Sequence, residues 1–376
     1  MTFQFGLEHE VAFLNQAGDF ADFSNTTFAD WDQIIQKLPS CVSDRASLRV
    51  GDLGIRSKRW YVEGFERFSS EGEFLGCVPK GIEIRTTLQG TIAGAITELK
   101  TSFNQLCAVA KGYGFEPVLT SFNPQHHQYQ PQPPLNPHEL NRLSQSPEEQ
   151  TELLAMVTYG PDLNLSRPGM STAELIDMGQ KLTYYSPFLV PFSFSAPLVQ
   201  GELWPGLSMR TYVRTGRRPA VLVFVDPASL PTVLSTVPAF VSSPQQPSLI
   251  KPARTASEIG RIEFKAFDSC GEFGLYGVLL LLLKGLILDQ TLPGRAWVPD
   301  RQLHQHSAKV GFGDPEIAAM ADRVLEAIAA VVEPAGRKVV RQLQSLRCSG
   351  RCAALDIKQA IGTGQDWRQV LKQQYR

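Results

Sequence analysis

Between Phe3 and Val11 apolar and acidic residues alternate: Glu8 and Glu10 stand two apart, with Phe5, Leu7 and Val11 in the intervening and flanking places. Successive side chains of a strand point to opposite faces, so both carboxylates must share one face. Like charges that close repel unless cations or protons lie between them. The pattern then recurs. Glu83 and Arg85 alternate with Ile82 and Ile84; Asp162, Asn164 and Ser166 alternate with Leu163 and Leu165; Glu263 and Lys265 alternate with Ile262 and Phe264. One half-exposed strand would show this without any site. Four of them imply a sheet with an apolar back on the core and an acidic front that binds cations. Glu8, Glu10, Glu83 and Glu263 supply the hard oxygen donors that Mg²⁺ or Mn²⁺ takes. His9 faces the other way, as a core histidine.

A chain of 376 residues can bury a large core, as one big domain or two. The formal net charge of -1 leaves no basic footprint for nucleic acid and no bias toward a membrane surface. The N-terminal residues lack the basic and apolar regions of a signal peptide. The longest apolar run, through Leu283 and on to Leu288, is interrupted by Lys284 and Gly285 and is too short to span a bilayer, so it is expected to be a buried helix. Six scattered cysteines, Cys41, Cys77, Cys107, Cys270, Cys348 and Cys352, are expected as reduced thiols in a cytoplasmic protein. Cys348 and Cys352 do not have CxxC spacing and read as structural.

Helices are expected over 26–38, 91–111, 148–156, 173–185 (ending before Pro187), 273–290, 315–332, 335–346 and 365–374, with Asp314 capping the helix that opens at Pro315. Arg49–Phe68 reads as two extended segments, Gly76–Gly81 as a turn, Ala220–Val225 as a buried strand and 226–258 as loop. The Pro- and Gln-rich stretch 122–147, with His126, His127 and His138, reads either as an arm over the sheet face or as a linker; a surface role for these histidines is favoured over a metal role. Strands mixed with helices, without regular βαβ alternation, imply an α+β fold around an antiparallel sheet. The whole chain is expected to be a single domain with a helical part over 291–376.

Arg210, Arg214, Arg217 and Arg218 form the densest positive patch. Guanidinium forks suit phosphate oxygens, and Arg210, between Met209 and Tyr212, reads as a phosphate contact, while Arg217 and Arg218 read as a solvated loop. No GxxxxGK[ST] or GxSxG motif is present, which removes P-loop and serine-hydrolase chemistry.

Gly6-Leu-Glu8-His-Glu10, Glu83-Ile-Arg85-Thr86, Asp162-Leu-Asn164-Leu-Ser166, Ser186–Pro197 followed by Gly201, Ser208-Met-Arg210, and Arg261–Asp268 occur in the order seen in glutamate–cysteine ligases. Over about residues 5–290 the chain resembles that family, closest to its bacterial and cyanobacterial carboxylate–amine ligase branch. The resemblance implies a glutamine-synthetase-like fold whose concave face holds Mg²⁺ between ATP and glutamate. It also implies an ATP-dependent ligase that makes a γ-glutamyl amide through an acyl phosphate, with cysteine or another amine as acceptor. Glu8, Glu10, Glu83 and Glu263 map onto the family's metal ligands and Arg210 onto a nucleotide-phosphate contact. Arg85, Asn164 and Ser166 complete the implied nucleotide set, Lys265 joins Arg210 in stabilising the transferred phosphoryl group, and Glu63 and Asp162 are candidates to take the amine proton. Asp162 stands where these ligases often carry His, and Lys265 where they usually carry Arg, which keeps the charge but loses the bidentate fork. A non-catalytic relative that binds nucleotide or an amino acid is the alternative. Small-molecule substrates are the expected partners, and the oligomeric state stays open.

Overall fold

A computed structural model describes residues 2–40, 59–145, 147–242 and 248–375. The first of the two extended segments expected in Arg49–Phe68, and Cys41, lie outside the described residues. The acid-bearing strand β1 (Gln4–Leu14) is the middle of the architecture. Behind it come β2 (Phe20–Ala21), α1 (Phe28–Lys37), β3 (Trp60–Phe68), β4 (Phe74–Arg85), α2 (Ile92–Gly112) and β5 (Glu116–Val118). Short helices α3 (Pro137–Leu143), α4 (Pro147–Gln150) and α5 (Glu152–Ala155) lead into β6 (Pro161–Ser166) and α6 (Thr172–Leu189). Next are a two-stranded ribbon, β7 (Leu198–Val199) and β8 (Glu202–Leu203), then α7 (Met209–Arg214), β9 (Val221–Val225), α8 (Leu230–Thr236), β10 (Ile250–Pro252) and β11 (Arg261–Phe264). Six helices finish the chain: α9 (Phe273–Leu288), α10 (Arg301–Val310), α11 (Pro315–Val331), α12 (Pro334–Ser349), α13 (Ala353–Gly362) and α14 (Trp367–Lys372).

The large sheet runs β10-β9-β11-β6-β1-β4-β3, with β2 and β5 added to the far end of β1. Its described pairs are antiparallel except one: β10 lies parallel to β9. The α+β expectation holds, and the sheet is mixed rather than wholly antiparallel. A strand of three residues ending in proline carries no alternation to read, so β10 was not visible inside the 226–258 stretch. The Gly76–Gly81 turn is likewise no turn. β4 runs straight through it, and Glu63 pairs with Gly81 while Gly64 pairs with Pro79, so Lys80 is the extra residue of a bulge.

On the back of the sheet Phe5, Leu7, Val11, Phe13, Ile82, Ile84, Leu163, Leu165, Ile262 and Phe264 are buried in one cluster with α2, α6, α9, α11 and α12. The apolar run 273–288 is a helix buried among those elements, as its composition requires. His9 is fully buried there; its Nδ1 lies 2.9 Å from the Tyr276 hydroxyl and its Nε2 3.1 Å from that of Tyr375. Burial pushes the imidazole down to about 3, so it is neutral, as a core histidine should be.

Helix boundaries follow the local chemistry. Asp314 caps α11 through the amides of Glu316 and Ile317, with Pro315 at the first turn. Helix α6 does not stop before Pro187 but continues to Leu189. Proline removes the donor for the carbonyl four residues back, and the Ser186 hydroxyl supplies it, donating to the Thr183 carbonyl at 2.7 Å. The described part of the 122–147 stretch is packed against the sheet rather than a free linker. Tyr129 packs on Phe65 and Phe23, and Glu139 takes a bidentate bond from Arg67 at 2.7 and 3.1 Å, which ties α3 to the edge strand β3. His126 sits on Phe23 and His138 on Phe68.

Candidate active site

Register decides which acids meet. Glu8 lies opposite Arg85 on β4 and opposite Asp162 on β6. Glu10 faces Glu83, Asn164 faces Glu263, and Ser166 faces both Gln4 and Arg261. On the outer strand Tyr61 faces Glu83 and Glu63 faces Gly81. The polar rows anticipated from alternation thus share the front of one sheet, but the acids do not form one cluster.

At one side, Glu10, Glu63 and Glu83 each offer a carboxylate oxygen, and these oxygens all lie within 4.8 Å of one another. Glu63, first placed as a proton acceptor, is the third member, and Gly81 opposite it sets no side chain beside it. Crowding leaves its mark on both inner acids. Burial, then the charges of Glu8 and Glu63, hold the Glu83 carboxyl well above the ordinary range. Burial pushes Glu63 up to about 7, despite the pull of Lys80. Three hard oxygen donors that repel one another fit a divalent ion such as Mg²⁺ or Mn²⁺. Lys80, released from the ladder by the bulge and only 1% exposed, donates to Glu10 Oε1 at 2.8 Å and to the carbonyls of Ala155 and Thr158. Sequence reasoning missed it; Pro79 and Gly81 on either side are the bulge signal that marks it.

The remaining two acids of the expected metal set behave differently. Glu8 is 3.7 Å from the Arg85 guanidinium and 3.9 Å from that of Arg261. Glu263 pairs with Lys265 through one oxygen and with Arg261, at 3.0 Å, through the other. Lys265 also bonds Asp162, so its ammonium lies between the two acids. Burial alone would lower Lys265, but Asp162, Glu263 and Glu8 outweigh it and keep the ammonium protonated. The carboxylates whose oxygens share one neighbourhood are thus Glu10, Glu63 and Glu83, while Glu8 and Glu263 lie against protein cations.

The expected nucleotide set also divides. Arg210 is 3% exposed and donates to the carbonyls of Lys265 and Phe267 at 2.9 and 2.8 Å, with Asp268 at 3.9 Å. Its fork clips the chain beyond β11. Arg85 stacks on the Tyr61 ring, 4.0 Å from its centroid, and lies 3.4 Å from Glu83, so it organises the face. Asn164 and Ser166 line a shallow groove at the strand ends with Gln4, Leu88 and Arg261. The Asn164 Oδ1 is buried there without a partner among the described residues.

Arg214 is the arginine that the basic patch conceals. It is 4% exposed, and among the described residues its guanidinium makes a single 3.5 Å contact, to the Pro219 carbonyl. Burial and repulsion from Arg210 and Arg218 hold it well below its ordinary range, while Asp162 and Glu10 pull it the other way from the carboxylate face. A buried guanidinium with so little bound to it is built to meet an anion. Arg217 is exposed, as expected, whereas Arg218 is half-buried.

No family model and no curated protein matches the sequence. Solved structures do. The glutamate–cysteine ligase of Francisella tularensis in complex with AMP is similar over 100% of this chain and 88% of its own, at 12% identity and a TM-score of 0.59. A bifunctional glutathione synthetase from Pasteurella multocida is similar over 100% of this chain at 13% identity and a TM-score of 0.57. The fold is shared with these two enzymes. This chain spans about half of the bifunctional enzyme, 52% of its length. Among the described residues no helix is long and apolar enough to cross a membrane.

Proposed function

We propose that this chain is an ATP-dependent carboxylate–amine ligase that joins the γ-carboxylate of glutamate to an amine, cysteine first among the candidates. The observation that carries the reading is the convergence of Glu10, Glu63 and Glu83 on the front of a sheet whose fold is shared with a glutamate–cysteine ligase seen with AMP. Those three acids would hold Mg²⁺, and Mn²⁺ in its place. When bound, the ion supplies charge neutralisation for the polyphosphate and draws its terminal phosphoryl toward the acid to be activated.

The chain's own groups do the rest. Arg214, buried and nearly unpartnered, replaces Arg210 as the residue that meets phosphate oxygens. Lys265 keeps a fixed positive charge beside Asp162 and Glu263, where a substrate carboxylate or a transferring phosphoryl group lowers its charge repulsion against the acidic face. The glutamate γ-carboxylate attacks the terminal phosphorus and ADP leaves; the amine then attacks the acyl carbon and phosphate leaves. The amine's proton goes to a carboxylate of the face, and Asp162 is the candidate because Glu63 belongs to the ion site. The sheltered face suits the acyl phosphate, which water would otherwise hydrolyse.

The test incubates purified protein with Mg-ATP, glutamate and a panel of amines, and reads phosphate release together with product mass. A product heavier than glutamate by one amine less water, formed only with ATP, is expected. No phosphate above background with any amine ends the ligase reading. Lys265 lodged between Asp162 and Glu263 favours one second reading, a nucleotide-binding relative without turnover. ATP binding that survives Glu10→Gln, with no product, would select it.

A further inference from the structure

We infer that Lys265 and Arg261 are built-in cations for the Glu8–Asp162–Glu263 side of the face, so that the chain takes a single divalent ion, at Glu10, Glu63 and Glu83. The inference deepens the ligase reading above and rests on it for the class of ion. Both sides of the face present three carboxylates from three neighbouring strands, and both must be neutralised to coexist. They are neutralised differently.

On the Glu10 side the contacts fall on single acids. Lys80 holds one oxygen of Glu10, the Gly160 amide donates to its other oxygen at 2.8 Å, and Arg85 approaches Glu83 at 3.4 Å. The carboxylate oxygens nonetheless close to within 4.8 Å of one another, as ligands of one small ion must. On the other side a cation already stands between the acids. The Lys265 ammonium bonds both Asp162 and Glu263. Arg261 takes the second oxygen of Glu263 at 3.0 Å, approaches Glu8 at 3.9 Å, and is anchored by Glu258 at 3.3 Å and by the Phe224 ring. Among the described residues, Glu8, Asp162 and Glu263 do not form a group whose oxygens all approach within that same limit. An ion entering there must displace an ammonium that is held by two charges and cannot leave the chain.

Ammonium and divalent ion differ in what they can do. Lysine donates only hydrogen bonds and bears one charge, and, tethered to the chain, it does not exchange with bulk. This side is thus fixed in charge and independent of divalent concentration, while the Glu10 side responds to it. A phosphate or carboxylate bound across the face would meet one exchangeable ion and one permanent cation.

The test counts ions rather than product. Mn²⁺ alone, without nucleotide, is titrated into the full chain by calorimetry, with free Mn²⁺ followed by electron paramagnetic resonance. One ion per wild-type chain is expected, and Glu63→Gln should lose it. Lys265→Met, checked for native circular dichroism, should gain a second ion that Glu263→Gln in the same background removes. Two ions on the wild type, or one on folded Lys265→Met, overturn the inference and leave the ligase reading standing. No ion on the wild type overturns the inference together with the metal part of that reading. The wild-type count alone decides the matter if Lys265→Met does not fold.

Discussion

Two arginines four residues apart make opposite predictions, and the difference lies in their hydrogen bonds. Arg210 serves the backbone carbonyls of Lys265 and Phe267. Charged hydrogen bonds of this kind contribute about 1.5–3 kcal/mol each, so Arg210→Ala should lower unfolding free energy by roughly 3 kcal/mol or more in urea titrations. Arg214 has almost nothing to lose. Arg214→Ala should leave the urea midpoint unchanged or slightly raised, since an under-paired buried charge is removed, while the KM for ATP rises about tenfold or more, the worth of one charged phosphate contact. Sequence alone could not separate the two, because both lie in one basic run and only burial and partners tell them apart. Glu63 makes the third residue-level prediction. Its pKa in the fold is raised to about 7 from an ordinary 4.5, chiefly by burial, so a proton competes with the ion below pH 7. Mn²⁺ affinity should fall up to about tenfold per pH unit below that point, read by calorimetric titration at a series of pH values, and a flat profile would refute it. The sign for stability follows from the same shift. Between about 4.5 and 7 the folded chain binds a proton the unfolded chain does not, so without divalent ions this group makes stability rise as pH falls through that window.

At the scale of elements, the β4 bulge brings Lys80 to Glu10 beside the Glu63–Glu83 pair. Glycine is required at Gly64, where a Cβ would stand 2.0 Å from the Val78 carbonyl oxygen and 2.8 Å from Pro79. Backbone atoms cannot move aside as a flexible side chain can. Gly64→Ala should therefore shift the β3–β4 register near Glu63, cost about 2 kcal/mol or more, and weaken Mn²⁺ binding, whereas Gly90→Ala, which meets nothing, should do neither. The same elements show what could be read beforehand. Alternation placed all the polar rows on one face and named Glu10, Glu83 and Lys265, because a two-residue period is a local property of the chain. It could not say which acids would cluster, since that depends on register between strands distant in sequence. Periodicity found the long helices α2, α9, α11 and α12, whereas α7 and α13 were not anticipated. Pro187 misled because the serine that compensates it is a tertiary detail of one hydroxyl.

For the whole molecule, the question is whether the C-terminal helices, which lie beyond the sequence resemblance but within the structural likeness, are an appendage or part of the machine that holds the acids. Ala12 and Leu14, on the same face of β1 as Glu8 and Glu10, are buried in a cluster with Ile357 of α13 and Val370 and Leu371 of α14. Leu119, just past β5, donates its amide to the Leu371 carbonyl at 3.1 Å, and Tyr375 reaches the back of β1 at His9. The helices thus grip β1 from both faces beyond the acidic rows. A grip of this kind makes one cooperative unit, so a single unfolding transition is expected by both fluorescence and circular dichroism. Deleting residues 364–376 removes two fully buried aliphatic side chains, each contributing about 1.5–3 kcal/mol, together with the Tyr375 bond to His9. The deletion should lower stability by roughly 3–6 kcal/mol and weaken Mn²⁺ binding with it, because Glu10 lies two residues before Ala12 on the released strand. An unaltered unfolding midpoint would show instead that β1 is held by the sheet alone. Leu371→Ala provides the graded version. It should cost about 2–5 kcal/mol while leaving the ion count unchanged at low temperature, which separates loss of the grip from loss of the site.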